Sequence, residues 1–177
     1  MRFSLQNPLF PTSKALLLRD EHEHITGYVS FKKDKDYEDQ RLFCFQDNNN
    51  NTTLGINKTG LMRLVRTSYT LTHNDTCYTL QEKLGPNLIY FCVTGTIHSH
   101  TIIIEENWDK DVEIKVDGVK LGVMHGTKKD AFIVYHLEDA LLTNQALFGL
   151  AILSYFIYQV FLKDADFIMQ LLWEDEI

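Results

Sequence analysis

Between Asp47 and Asp75 the chain carries no carboxylate, yet it holds Lys58, Arg63, Arg66 and His73. An anionic ligand needs cations that are not neutralised locally, so this stretch has the chemistry of a phosphate site. Asn57-Lys58-Thr59-Gly60 reads as a turn, and successive backbone N–H groups in a turn can close around a phosphate. Lys58, Arg63 and Arg66 are therefore the candidate residues for a phosphate or lipid headgroup. The competing reading is a solvated turn, because charge runs usually signify exposure alone. Lys32, Lys33 and Lys35 alternate with Asp34 and Asp36, which cancels their field beyond a Debye length and reads as a polar loop.

Two histidine pairs have spacing a metal could use. His98-Ser99-His100 reads as two imidazoles on one face of a strand, and His22 and His24 form a second pair. Neither has a Cys or carboxylate spaced to complete a shell, so no metal is assigned. Cys44, Cys77 and Cys92 are an odd set without knuckle or redox spacing. They read as reduced thiols, Cys44 and Cys92 within apolar runs of the core. For catalysis there is no Gly-x-Ser-x-Gly elbow and no zinc-helix motif, and Gly126-Thr127-Lys128-Lys129 is too short for a phosphate-binding loop. No catalytic residue and no cofactor is expected. An enzyme unrecognised by motif stays among the alternatives.

The elements that must carry these residues follow from pattern. With 177 residues, 17 Lys and Arg and 24 Asp and Glu, net charge −7, the chain is one domain by length and lacks the basic face a nucleic acid requires. No signal-length apolar stretch precedes Pro8, so the expected compartment is the cytoplasm. Up to about residue 136, short apolar runs rich in β-branched and aromatic residues alternate with turn chemistry: 3–5, 15–18, 25–31, 41–46, 53–57, 66–72, 77–82, 88–94, 101–105, 112–116, 119–124 and 130–135. Asp117-Gly118 is the clearest hairpin signal, since a type I′ turn needs positive φ at both central residues. About twelve strands in up-and-down order are expected.

After His136 the character changes. Glu138-Asp139 suits a helix N-terminus, and the run to Leu162 is apolar on every face from Leu147, broken by Ser154 and Gln159. Such a helix is buried all round, in a core or in a membrane. As a span, Tyr155, Tyr158 and Trp173 would be interfacial aromatics. The strongly apolar part is short, however, and no Lys/Arg cluster orients it. As a core helix it answers a geometric need: twelve strands tilted about 40° enclose a radius of roughly 12 Å, which an axial helix fills. The fold expected is mainly β (α+β): residues 1–163 form a closed antiparallel barrel around a helix at about 139–162. Residues 164–177 form an amphipathic tail, with Asp166 capping a short helix, that packs on the barrel or joins two copies.

The stretch from Asp117 to Leu142 carries a turn hairpin, a last strand, an acidic pair and the start of the apolar helix. With the early strand Glu23–Phe31 it resembles the tubby C-terminal domain and its small LURP-one-related and bacterial tubby-like relatives. The resemblance covers nearly the whole chain as pattern; the residues after Leu162 depart from it, because the helix normally ends that domain. It implies a non-catalytic domain binding phospholipid headgroups, or a protein partner, at the cytoplasmic membrane face. The alternative is a β domain anchored by a single transmembrane helix.

Overall fold

Side chains in a strand face alternate sides, so a run that is apolar at every second position makes a wall with one dry face. The computed structural model describes residues 1–7, 15–33, 41–48, 50–57, 67–83, 90–126 and 130–173. Its strands are β1 (Arg2–Gln6), β2 (Leu16–Asp20), β3 (Ile25–Lys33), β4 (Arg41–Gln46), β5 (Asn51–Ile56), β6 (Ser68–His73), β7 (Thr76–Glu82), β8 (Cys92–Ile97), β9 (His100–Glu106), β10 (Val112–Val116), β11 (Val119–His125) and β12 (Phe132–Leu137). Each pairs antiparallel with its neighbours in sequence, and β1 pairs with β12, so the sheet closes into a barrel without free edges. The dry face is the inner one, with Leu5, Leu18, Val29, Phe45, Leu54, Leu71, Ile104, Ile114 and Ile133 buried. Asp117 (φ 51) and Gly118 (φ 82) form the positive-φ pair expected of the β10–β11 turn.

Two helices follow, α1 (Asp139–Thr143) and α2 (Gln145–Trp173), and α2 lies at the barrel centre. Gln145–Leu171 is long and apolar enough to cross a membrane, but 83% of its most apolar window is buried inside the barrel. Aromatic contacts pin it there: Phe148 meets Phe3 and Phe45 at ring distances of 5.4 Å, Phe156 stacks on Phe43 at 4.8 Å, and Phe161 packs on Phe91 at 5.2 Å. Hydrogen bonds from tyrosines also tie the rod to the wall. Tyr155 donates to Asn7 Oδ1 (2.8 Å), Tyr158 donates to Glu106 Oε1 (2.7 Å), and Tyr135 donates to the Ile152 carbonyl (2.9 Å). The tyrosines that suited an interfacial belt are satisfied inside the protein.

Four expectations need correction. The helix is not continuous from 139: Asn144 breaks it with extended backbone, and its Oδ1 accepts the Leu147 N–H (3.3 Å) as an N-cap for α2. The acidic residue Asp139 therefore sits on short α1, and α2 has no acid in its first turn. Asp166 caps nothing. With no Gly or Pro between Lys163 and Leu172, α2 runs on to Trp173. Finally, β8 occupies Cys92–Ile97 rather than 88–94, and β12 runs to Leu137.

Candidate functional site

Up-and-down connectivity sorts every connection onto one of two rims. The upper rim, where the chain passes from β12 into α1 and α2, holds the tight turns after β2, β4, β6, β8 and β10. The lower rim, where α2 leaves, holds the connections after β1, β3, β5, β7, β9 and β11. The interior between them is filled by α2, so binding chemistry is left to the rims and the outer wall.

Lys58, Arg63 and Arg66 lie outside the described residues. Their anchor points do not: the Asn57 N–H donates to the Ser68 carbonyl (3.1 Å), and Asn57 Nδ2 donates to Ser68 Oγ (2.9 Å). The connection that carries them, 58–66, is thus bounded by one latched pair of strand ends on the lower rim. His73 does not belong with it. It closes β6 at the upper rim and is buried. The Asn74 amide donates to its Nε2 (3.1 Å), which leaves Nδ1 to donate to Thr52 Oγ1 (2.8 Å). Burial, then neighbouring His98, holds this imidazole below its ordinary pKa against a smaller pull from Asp47, so it is neutral at pH 7.

The histidine pairs separate. His98 is not on a strand face: it occupies the β8–β9 turn at φ 53, its ring against Tyr78, whose hydroxyl is 3.2 Å from Nδ1. His100 opens β9 and bonds Asp117 Oδ2 at 2.7 Å. His22 and His24 lie 6.0 Å apart in the β2–β3 turn, where Asp20 accepts both their backbone N–H groups. Among the described residues no three His, Cys, Asp or Glu side chains converge as a metal site. His73, Asn74, Tyr78, His98, Asn144 and Gln145 line an open groove of about 410 Å³ on the upper rim, a surface of hydrogen-bonding side chains.

Charge divides the rims. The upper turns carry Asp20, Glu21, Glu23, Asp47, Asp75, Asp117, Glu138 and Asp139, and Arg19 there is held by Glu23. On the wall, Lys115 bridges Glu105 and Glu113, and Lys120 adds to Glu113. Burial alone would raise the Glu105 carboxyl; hydrogen bonds from Lys115 and Tyr90 more than offset it and hold it below its ordinary value. The same contact and burial push Tyr90 up to about 12. Burial likewise raises the Cys92 thiol, which is an inert core group as expected. Among the described residues the lower rim mixes signs: Lys83, Lys110 and Lys163 stand with Glu82, Glu106, Asp109, Asp111, Asp130, Asp164 and Asp166.

What the residue patterns did not single out is the indole at the β9–β10 turn. Trp108 is 101% exposed, and its signal was an aromatic set alone in the polar run Asn107–Asp111 between two strands. At the same rim α2 turns one-sided after Leu162: Asp164 and Ile168 face inward, while Phe167 and Leu171 are exposed. Residues 164–173, expected as part of a separate tail, continue the axial helix. Comparison of the chain with models of protein families, with curated proteins and with solved structures finds no match.

Proposed function

We propose that the chain is a non-catalytic, tubby-like binding module that takes phospholipid headgroups at the cytoplasmic face of a membrane. The observation that supports this reading is that the strand ends flanking residues 58–66 lie on the lower rim. Lys58, Arg63 and Arg66 fall in sequence between Asn57 and Ser68, strand ends bonded to each other on the rim opposite the acidic upper turns. A barrel filled by its own helix supports a binding role on the surface over one in an interior cavity. Enclosure of α2 by the wall supports peripheral attachment over a spanning anchor.

The test is co-sedimentation with vesicles of phosphatidylcholine and phosphatidylserine, three parts to one. A Lys or Arg near an anionic surface contributes about 1 kcal/mol, so Arg63→Glu with Arg66→Glu should weaken binding at least about twentyfold. Sedimentation unchanged by the double reversal would dismiss the headgroup site. Loss of sedimentation from all vesicles with retention of a protein complex would move the reading to a protein partner.

A further inference from the structure

We infer that the lower rim carries an apolar anchor, Trp108 together with the Phe167–Leu171 face of α2, that inserts into the interfacial zone of a phospholipid bilayer. This rests on the lipid-binding reading above and adds to it the depth of the contact and its apolar chemistry.

The β9–β10 turn presents Trp108 on a rigid support. Asn107 Oδ1 accepts the N–H groups of Asp109 (2.9 Å) and Asp111 (3.0 Å), and the Asn107 N–H donates to the Asp111 carbonyl (2.9 Å). Lys110 takes the left-handed conformation (φ 66) that closes the turn, and its N–H donates to the Asn107 carbonyl (3.2 Å). The indole therefore stays in water while the turn holds its shape, instead of folding back on the wall. An indole buries about 150–250 Å² when covered. Recovering a third of that area in a bilayer interface is worth about tenfold in partition.

The second element points the same way. Phe161 packs on Phe91 just before β8, so α2 from Leu162 onward runs past the strand ends of the lower rim. Phe167 and Leu171, four residues apart on one face, are 45% and 38% exposed. Lys163 stands one turn before them, positioned to lay its stem along the apolar strip with its ammonium among headgroups. Both features present apolar side chains to solvent at the lower rim. A hairpin tip and a helix end fit a soft interface, whereas a folded partner would need cavities to receive them, and Trp is a residue of the membrane interface.

Charge around the indole decides which force acts. Lys110 is paired with Glu106 (3.1 Å) and Asp111 with His125 (2.8 Å), which leaves Asp109 beside the ring. The indole thus gains nothing from an anionic surface and acts by apolar transfer, so it resists salt where Lys and Arg contacts are screened.

The experiment uses the full chain with Trp173→Phe, leaving Trp108 as the single indole. With the phosphatidylcholine–phosphatidylserine vesicles, Trp108 emission should shift to the blue and be quenched by brominated acyl chains. Trp108→Ala should lower the partition coefficient about tenfold at low and at molar salt alike, with its thermal midpoint unchanged because the side chain touches nothing. Phe167→Ser with Leu171→Ser should lower it further. If the protein sediments but Trp108 emission is unshifted and Trp108→Ala binds as the parent does, the anchor is refuted and the headgroup reading stands. If Arg63→Glu with Arg66→Glu still sediments while Trp108→Ala does not, the anchor holds and the headgroup reading falls. Absence of sedimentation from any vesicle refutes both.

Discussion

Gly149 lies close against β5, and it offers a sharp test of the fold. A Cβ at this position would lie 2.4 Å from Thr52 Oγ1, 2.6 Å from Thr52 Cβ and 2.8 Å from Thr52 Cγ2. Thr52 is fully buried on β5, and its hydroxyl is tied to His73 at 2.8 Å. Two effects of Gly149→Ala oppose each other. Inside a helix the change favours folding by about 0.8–1.0 kcal/mol, because glycine has more backbone freedom to lose. Against that, overpacking a filled core costs typically 1–3 kcal/mol, and displacing the Thr52 hydroxyl threatens a hydrogen bond worth about 0.5–1.5 kcal/mol. Thr52 is β-branched and cannot swing aside as a long flexible chain would, so the unfavourable side wins.

The expected result is a net loss of about 1–2 kcal/mol, read as a lower urea midpoint at unchanged slope. Thr52→Ala removes the two outer atoms of the clash. The double variant should therefore recover part of what Gly149→Ala loses, giving a coupling of about 0.5–3 kcal/mol in the cycle. A Gly149→Ala variant that is more stable than the parent by about the propensity difference would refute the reasoning. It would mean that helix position 149 faces open space and that α2 is not threaded against β5.

Tyr158 and Glu106 test the lower end of the same rod. The Tyr158 hydroxyl donates to a carboxylate only 4% exposed, which Lys110 also pairs, and burial and then that carboxylate raise the phenol's pKa. Tyr158→Phe should cost about 1.5–3 kcal/mol in denaturant titration, and Glu106→Gln, which keeps an acceptor, should cost less; the reverse order would place the stabilisation in the Lys110 pair. Acid should destabilise the fold before the carboxylates titrate. His73 is lowered by burial and then His98, and His136 by burial, then His125 and Arg2, so the unfolded chain binds protons that the folded one refuses. Their contribution is complete above the unfolded value near 6.5 and is lost as pH falls from there toward the folded values. Thermal midpoints measured from about pH 7.5 to 5 should therefore decline, and less steeply in His73→Gln with His136→Gln. Equal slopes would assign the decline to other groups.

Most of the wall was legible because alternation is a local property. Asp117-Gly118 fixed its own turn, and runs such as Arg41–Gln46 needed no partner to be read. Errors arose where tertiary geometry overrides the local signal. His73 shares an acid-free stretch with Arg66, but β6 carries it about 17 Å away, to the opposite rim, at a strand's rise per residue. Ile97-His98-Ser99-His100 contains no Gly, Asn or Asp and so gives no local turn signal, yet the turn forms with His98 at positive φ. The axial helix was readable from its lack of a polar face. Its extension past Lys163 was missed because charges at 163, 164 and 166 look like an ending, although none of them breaks a helix.

The same rod that closes the core also selects the face on which the molecule can act. A barrel empty at its centre could have hosted chemistry inside; this one spends its interior on Phe148, Phe156, Phe161 and the hydroxyls of Tyr155 and Tyr158, each matched to a wall residue. What remains differs end from end. The upper turns are short, internally hydrogen-bonded and acidic, a surface that anionic lipid repels. The lower rim gathers the strand ends that flank residues 58–66, the bare indole and the emerging one-sided helix. Core and rim are physically separable, since Gly149 acts through Thr52 and Trp108 through nothing in the protein. Substitutions at the two should add without coupling, stability moving with the first and surface attachment with the second.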